Sequence, residues 1–245
     1  MKKVLITGAN KSIGFETARQ MLQKGYYVYL GSRDVKNGQE AVEKLKAEGL
    51  SEVEAIQIDV SDPGSVKAAR TEIGKKTEVL DALINNAGIM GGMQQTATGT
   101  DIAVYKQVFD TNFFGVVLVT QAFMNLLQKS PQPRIVNVTS GLASLTLHND
   151  PEWKYYAVKA PIYNSTKAAL NMYTIALAYE LRDTPFKVNA VDPGFTATDF
   201  NSHRGTGTVE DASARLVKGA MIDADGPTGK FFSDDNNPDT GESPW

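Results

Sequence analysis

Two side chains four residues apart, the phenol of Tyr163 and the ammonium of Lys167, can act together if Tyr163-Asn164-Ser165-Thr166-Lys167 is helical, because that spacing puts both on one face. A cation beside a phenol favours phenolate and draws the pKa down from its ordinary value of about 10. A tyrosine tuned in this way trades protons near neutral pH. The chemistry that needs it is a carbonyl gaining or losing hydride, since the developing alkoxide must be protonated as the hydride arrives. Alone, the pair equally fits a solvated lysine beside a core tyrosine. Tyr155 and Lys159 have the same spacing, but Pro161 follows at once, and an interior proline costs a helix about 3 kcal/mol. That second pair is expected in a loop or a short irregular turn, whereas no proline follows Lys167 until Pro185.

The elements that must position these groups are legible as short β-branched runs alternating with longer amphipathic ones. Val4–Ile6, Tyr27–Leu30, Val53–Ile58, Val79–Ile84, Ile135–Val138 and Val188–Val191 read as strands apolar enough to be buried on both faces. Helices are expected over Ile13–Lys24, Val35–Glu48, Gly64–Lys76, Asp101–Lys129 (as two helices) and Tyr163–Leu181. This alternation implies an α/β fold: a single-domain, doubly wound, Rossmann-type parallel sheet of about seven strands, helices on both faces, and a ligand crevice at the carboxyl ends of the strands. No linker divides the 245 residues, so 1–245 is expected as one domain. Residues of about 195–224 read as a substrate lid and about 234–245 as a flexible tail.

Composition excludes several functions. With 42% hydrophobic residues, a net charge of −3 and no basic block, no nucleic-acid partner is expected. The absence of cysteine removes disulfides, thiolate metal sites and cysteine nucleophiles, which suits a cytoplasmic setting. Three apolar residues after Lys3 are too few for a signal sequence, and no run approaching the roughly 18 apolar residues of a membrane span is evident. His148 and His203 stand without partners at ligand spacing, so no metal is expected.

Directly after the first strand comes Thr7-Gly8-Ala9-Asn10-Lys11-Ser12-Ile13-Gly14, leading into a helix. Glycines there allow a tight turn and close helix–strand packing, and the helix N-terminus offers N–H groups and a positive dipole end to a pyrophosphate; a purely structural turn is the plainer alternative. Ser12 stands where a middle glycine is usual, tolerable if its φ is negative and its hydroxyl faces a phosphate. At the tip of the second strand the chain reads Ser32-Arg33-Asp34. An acid at the tip would take the ribose hydroxyls of NAD, an arginine the 2′-phosphate of NADP. Asp34 lies past the tip and suits the N-cap of the next helix. Ser32 at the tip, Arg33 beside it and Lys11 as a second cation favour NADP(H) over NAD(H).

With these motifs placed, the chain resembles the short-chain dehydrogenase/reductase family, particularly its carbonyl reductases, over about Lys3 to Phe232. The resemblance rests on the glycine loop, Asp59-Val60, Asn85-Asn86-Ala87-Gly88, Asn112 within Thr111-Asn112-Phe113-Phe114-Gly115, Ser140, Tyr163 with Lys167, and Asp192-Pro193-Gly194, in that order. It implies that Tyr163 donates the proton, that Lys167 lowers its pKa and binds the nicotinamide ribose, that Ser140 holds the substrate oxygen, and that Asn112 fixes a relay water. It further implies that Asp59 meets the adenine edge with Val60 beside it, that Asn86, Ala87 and Gly88 line the cofactor, and that Pro193 and Gly194 pass the nicotinamide amide, with Thr196 or Thr198 as its partner. Asn85 is expected to tie strands together instead, and Asn112 equally suits a buried structural hydrogen bond.

Ser140 and Tyr163 are further apart than is common in the family, which gives an insertion of about 144–160. Tyr155 falls nearer the common spacing, but Asn164-Ser165-Thr166 supplies the small polar residues expected between tyrosine and lysine. The insertion either borders the substrate mouth or covers an apolar helix. The helices around Phe113–Leu127 and Ala168–Leu181 are apolar nearly all round and need cover on every side, from that insertion or from a second subunit, so a homo-oligomer (dimer or tetramer) is expected. The reading is therefore NADPH-dependent, reversible reduction of a small-molecule aldehyde or ketone. An NAD(H)-dependent enzyme of the same family and a non-catalytic NADP-sensing protein are the alternatives.

Overall fold

In a computed structural model describing residues 1–245, the expected strands form β1 (Lys3–Ile6), β2 (Tyr27–Ser32), β3 (Val53–Gln57), β4 (Ala82–Asn85), β5 (Arg134–Val138) and β6 (Lys187–Val191). A two-residue β7 (Phe231–Phe232), too short to show a period, completes the sheet. All pairings are parallel in the order β3-β2-β1-β4-β5-β6-β7, so the order reverses beside β1. That switch point opens a crevice at the carboxyl ends of β1 and β4.

The helices are α1 (Ser12–Gln23), α2 (Val35–Ala47), α3 (Pro63–Lys76), α4 (Ile102–Phe109), α5 (Gly115–Leu127), α6 (Pro161–Glu180) and α7 (Val209–Ala220). Alternation along each strand sorts them into two layers. Val4 and Ile6 face α1, α2 and α7, where Met21, Leu45 and Leu216 are buried; Leu5 and Leu83 face α3, α5 and α6, where Ile73, Phe123 and Leu177 are buried. Helix starts follow local chemistry. Asp34 caps α2 by accepting the Asn37 amide, as expected, and Asp62 caps α3 with Pro63 in its first turn.

Three segments differ from expectation. The region of 101–129 is one rod, in which a π-helical turn (Asp110–Phe114) joins α4 to α5 without a break. Ile102–Leu127 is thus 26 residues, long and apolar enough by those criteria alone to cross a membrane, contrary to the expectation of no such run; Val119, Phe123 and Leu127 pack against the sheet. Second, the interval of 195–224, expected as a lid, divides: α7 belongs to the core, because Leu216 and Val217 are buried against the sheet, and only the part before Val209 can cover the crevice. Third, residues 234–245, read as a flexible tail from their Asp, Asn and Pro content, fold back. Glu242 bridges Phe232 antiparallel, the Ser243 amide donates to the Phe231 carbonyl, and the Trp245 ring rests 5.6 Å from that of Phe231.

Candidate active site

The glycine loop is bolted to the end of β4. Thr7 Oγ1 accepts the amides of Asn86 and Ala87, and Asn86 Nδ2 donates to the carbonyls of Thr7 and Gly8 at 2.9 and 3.1 Å. Two glycines are required sterically. Gly8 has φ +63°, and a Cβ on Gly14 would stand 2.5 Å from the Gly8 carbonyl oxygen. Ser12 departs from the expectation of a negative φ: it takes φ +50°, the left-handed region where a side chain costs about 1 kcal/mol. The reason is the turn itself, which needs a left-handed residue at the first position of α1 whether or not glycine is there. No side chain caps α1, so its first N–H groups are free to meet an anion at the crevice.

At the tip of β2, Ser32 is buried and its hydroxyl donates to the Asp34 carbonyl at 2.7 Å. Arg33 is exposed. Lys11 lines a groove of about 200 Å³ with Asn10, Asn37, Glu40 and Lys44, and Arg33 does not line it. Lys44, a cation in this groove, was not singled out from the sequence, where it reads as one lysine of a solvated helix face. Lys11 Nζ also pairs with Asp199 Oδ2 at 3.2 Å, which ties the glycine loop to the cover segment. Asp59 uses Oδ1 to accept the amide and hydroxyl of Ser61, and Val60 is buried beneath Gly115.

Deeper in the crevice, Ser140, Tyr163 and Lys167 come together. Ser140 follows the end of β5 in extended backbone, its Oγ accepting the Leu142 amide at 3.2 Å, and its hydroxyl is near enough to the Tyr163 phenol to favour the phenolate form. Lys167 is buried, donates from Nζ to the Val138 carbonyl at 2.7 Å, and stands 5.8 Å from the centre of the Tyr163 ring. Gly88 floors this space: a Cβ there would be 3.3 Å from Asn112 Oδ1 and 3.8 Å from Lys167 Nζ. Asn112 sits in the π-helical turn, fully buried. Its Oδ1 accepts the Ile89 amide, and its Nδ2 donates to the Ile89 carbonyl and to Thr166 Oγ1. The amide is thus committed to structural bonds that fix the Gly88 loop against α6. Asn85 ties β4 to β5 through Asn137 and to α5 through Thr120, as expected.

The electrostatics reverse one expectation. The Tyr163 phenol is pushed well above its ordinary value, because burial disfavours phenolate more than the Ser140 hydroxyl favours it, and the buried Asp192 carboxylate adds to the rise. Lys167 is lowered from 10.5 to about 8 by burial, against the pull of Asp192. Desolvation therefore dominates at both groups, and Tyr163 is held as a protonated donor at neutral pH.

Tyr155 takes no part in this cluster. Its hydroxyl donates to Asp235 Oδ2 at 2.8 Å, and burial with that carboxylate pushes its pKa far up. Lys159 instead donates to His148 at Nδ1 and at the carbonyl. Residues 144–160 pack at the mouth through His148, Trp153 and Tyr155, set edge to face in turn, the last 6.3 Å from Phe195 of the cover segment. Asp192, Pro193 and Gly194 form the turn after β6; Thr196 and Thr198 are both buried, Thr196 Oγ1 donating to the Pro193 and Gly194 carbonyls.

Two residues at the site carry no signal in the sequence. Phe200 packs edge-on to Tyr163, ring centres 5.6 Å apart, and so roofs the phenol. Gln95 caps α6 from a distance. That helix has no side-chain cap of its own, and Gln95 Oε1 accepts the amides of Ile162 and Tyr163 at 3.0 and 3.1 Å while Nε2 donates to the Met90 and Gly92 carbonyls. Gln95→Ala is expected to lower stability by about 1 kcal/mol, as loss of a cap does, read as a shift in the urea midpoint; an unshifted midpoint would show that water caps the helix equally well.

Comparison with known proteins finds relatives and solved structures that cover almost the whole chain. The family model described as short chain dehydrogenase matches residues 2–208. A (+)-neomenthol dehydrogenase from Capsicum annuum is 33% identical, over 93% of this chain and 94% of its own. Among solved structures, salutaridine reductase from Papaver somniferum superposes with a TM-score of 0.83 at 29% identity, covering 95% of this chain and 100% of that one. The carbonyl reductase from chicken fatty liver, solved with NADPH bound, gives 0.84 at 27% identity, covering 100% and 99%.

Proposed function

The chain belongs to the short-chain dehydrogenase family of oxidoreductases, and from that premise we propose that it reduces an aldehyde or ketone with NADPH, reversibly, with Tyr163 as proton donor. The observation that carries this is the meeting of the Ser140 hydroxyl, the Tyr163 phenol and the buried Lys167 ammonium over the Gly88 floor. The residues present fit a dinucleotide: an uncapped α1 N-terminus beside Lys11, and a glycine at position 88 where a Cβ would press on Asn112 Oδ1. When bound, that cofactor supplies the hydride. Ser140 donates a hydrogen bond to the substrate oxygen, Tyr163 delivers its proton to the same oxygen as negative charge develops, and Lys167 stabilises the phenolate left behind. Asn112 serves by holding the Gly88 loop and α6 in register.

Exposed Phe195, Phe200, Met93 and Leu145 near the crevice favour an apolar substrate. NADPH is favoured by Lys11 and Arg33 and by a serine rather than an acid at the β2 tip. Exposed Ile102, Phe114, Met172 and Tyr179 on α4 to α6 leave an apolar face that fits a homo-oligomer; a monomer by light scattering removes that part.

The test is NADPH and NADH oxidation over a panel of aliphatic, aromatic and cyclic ketones, run beside Arg33→Ala. Wild type is expected to prefer NADPH, and the variant to lose roughly tenfold or more of that preference, the worth of one charge-assisted phosphate contact. An unaltered preference leaves Lys11 and Lys44 as the phosphate cations. No oxidation of either cofactor with any ketone removes the reading.

A further inference from the structure

The stretch of 233–243 joins segments that the chain keeps far apart, and it does so through buried polar atoms. Ser233 Oγ donates to Asp192 Oδ2 at 2.6 Å, while Asp192 Oδ1 accepts the Gly194 amide at 2.9 Å. Gly141 lies against the same carboxylate, near enough for its amide to favour the charged form. The Gly141 carbonyl is held in turn by Asn236, whose Nδ2 donates to it at 3.1 Å and to Ser243 Oγ at 3.0 Å; the Asn236 amide donates to Ser233 Oγ at 3.2 Å. A Cβ on Gly141 would meet Asn236 Oδ1 at 2.9 Å and Asp192 Oδ2 at 3.1 Å. The residue after Ser140 is therefore held at its C=O by Asn236 and hemmed in on its Cα by Asn236 and Asp192.

A buried carboxylate is costly unless donors surround it. Here the donors come from two places, the β6 turn and the chain after β7, with the β5 turn packed against the same carboxylate. Asp192, Ser233 and Ser243 are at most 4% exposed, so water does not substitute for them. Resting on the reading of Ser140 as the group that holds the substrate oxygen, we propose that Asp192, Ser233 and Asn236 are positioning residues that fix the Ser140-Gly141 turn against Tyr163. Ser140 Oγ has a single amide, that of Leu142, to orient it within its own turn. Its distance from the phenol is set by the clamp on Gly141, and displacement of a reacting group by about 1 Å can cost a hundredfold in rate.

The charged and titratable groups around Asp192 are Tyr163 and Lys167 on α6, Tyr155 of the insertion, and Asp235 of its own clamp. Arg215 on α7 donates to the neighbouring Pro193 carbonyl at 2.6 Å. The carboxylate raises both Tyr163 and Lys167, so two substitutions act differently. Asn236→Ala loosens the clamp without altering charge; Asp192→Asn loosens it and removes the charge.

The experiment uses the full chain with Asn236→Ala and Asp192→Asn, and Asp239→Asn in the exposed tail turn as control. It measures hydrogen–deuterium exchange of the peptide covering 139–144, NADPH affinity by fluorescence, and kcat against pH with a ketone from the panel. Asn236→Ala is expected to speed exchange in that peptide and to lower kcat by about tenfold or more, with NADPH affinity and the pH limbs in place. Asp192→Asn should lower kcat too, and also move the alkaline limb to lower pH. Unchanged exchange in Asn236→Ala overturns the clamp whether or not any ketone is reduced, and so does a kcat loss matched by equal loss of NADPH affinity. A wild type that reduces no ketone removes the proposed function instead, and the exchange measurement still decides the clamp.

Discussion

Tyr163→Phe is expected to reduce turnover by roughly 10²–10⁴-fold, the range that a positioned general acid contributes, while NADPH still binds. Only one oxygen is removed, and the edge-on contact with Phe200 and the packing of a nine-tenths buried ring are kept. The loss should fall on kcat and kcat/KM alike, because the proton is needed only as the alkoxide forms. Since the phenol is held well above its ordinary pKa by burial, the donor form predominates at neutral pH, and the reverse oxidation, which begins from phenolate, should gain with rising pH. Tyr155→Phe is the matched comparison. Its hydroxyl is occupied by Asp235, so turnover should persist. Steady-state rates of the two variants with one ketone decide the assignment, and equal losses would mean that the tyrosines have been confused.

Lys167→Met should abolish activity and at the same time make the protein more stable near neutral pH. Burial lowers Lys167 from 10.5 to about 8, a cost of about 3 kcal/mol to the folded state wherever the lysine is charged in both states. Loss of the donor to the Val138 carbonyl takes back about 1 kcal/mol. The variant is then favoured by about 2 kcal/mol at pH 7. Between the folded value of about 8 and the unfolded value of 10.5 the unfolded chain binds more protons, so wild-type stability rises with pH through that window and the advantage of the variant fades. Urea unfolding of both proteins at pH 7 and pH 10 measures this. A variant less stable than wild type at pH 7 would show that the ammonium is a net support of the fold and not a burden kept for chemistry.

The apolar face of α4 to α6 bears on both experiments. If a second copy covers Phe114, Met172 and Tyr179, unfolding midpoints depend on protein concentration, so the comparison is made at one concentration and repeated at a tenth of it.

Much of the site is written locally. The i,i+4 spacing of Tyr163 and Lys167, the glycine loop between a strand and a helix, the Asp34 cap and the alternation that dictates a parallel sheet all act within a few residues, and local rules recover them. Topology then brings Ser140 to the same crevice, since every strand end in such a sheet opens on one edge. What the tertiary structure alone decided lies in contacts made across long stretches of chain. Gln95 caps a helix 67 residues ahead, Asn236 holds a carbonyl 95 residues behind, and Phe200 roofs Tyr163. These side chains have no periodicity and no motif, because nothing near them in sequence constrains them. The direction of the Tyr163 pKa belongs to the same class. Spacing to Lys167 argues for phenolate, but the outcome is set by how much water the folded crevice excludes, which depends on every segment that closes over it. The tail reads as flexible for the converse reason: its Asp, Asn and Ser residues look solvated in sequence, and they become buried hydrogen-bonding partners only where β5 and β6 have already placed an aspartate and a glycine to receive them.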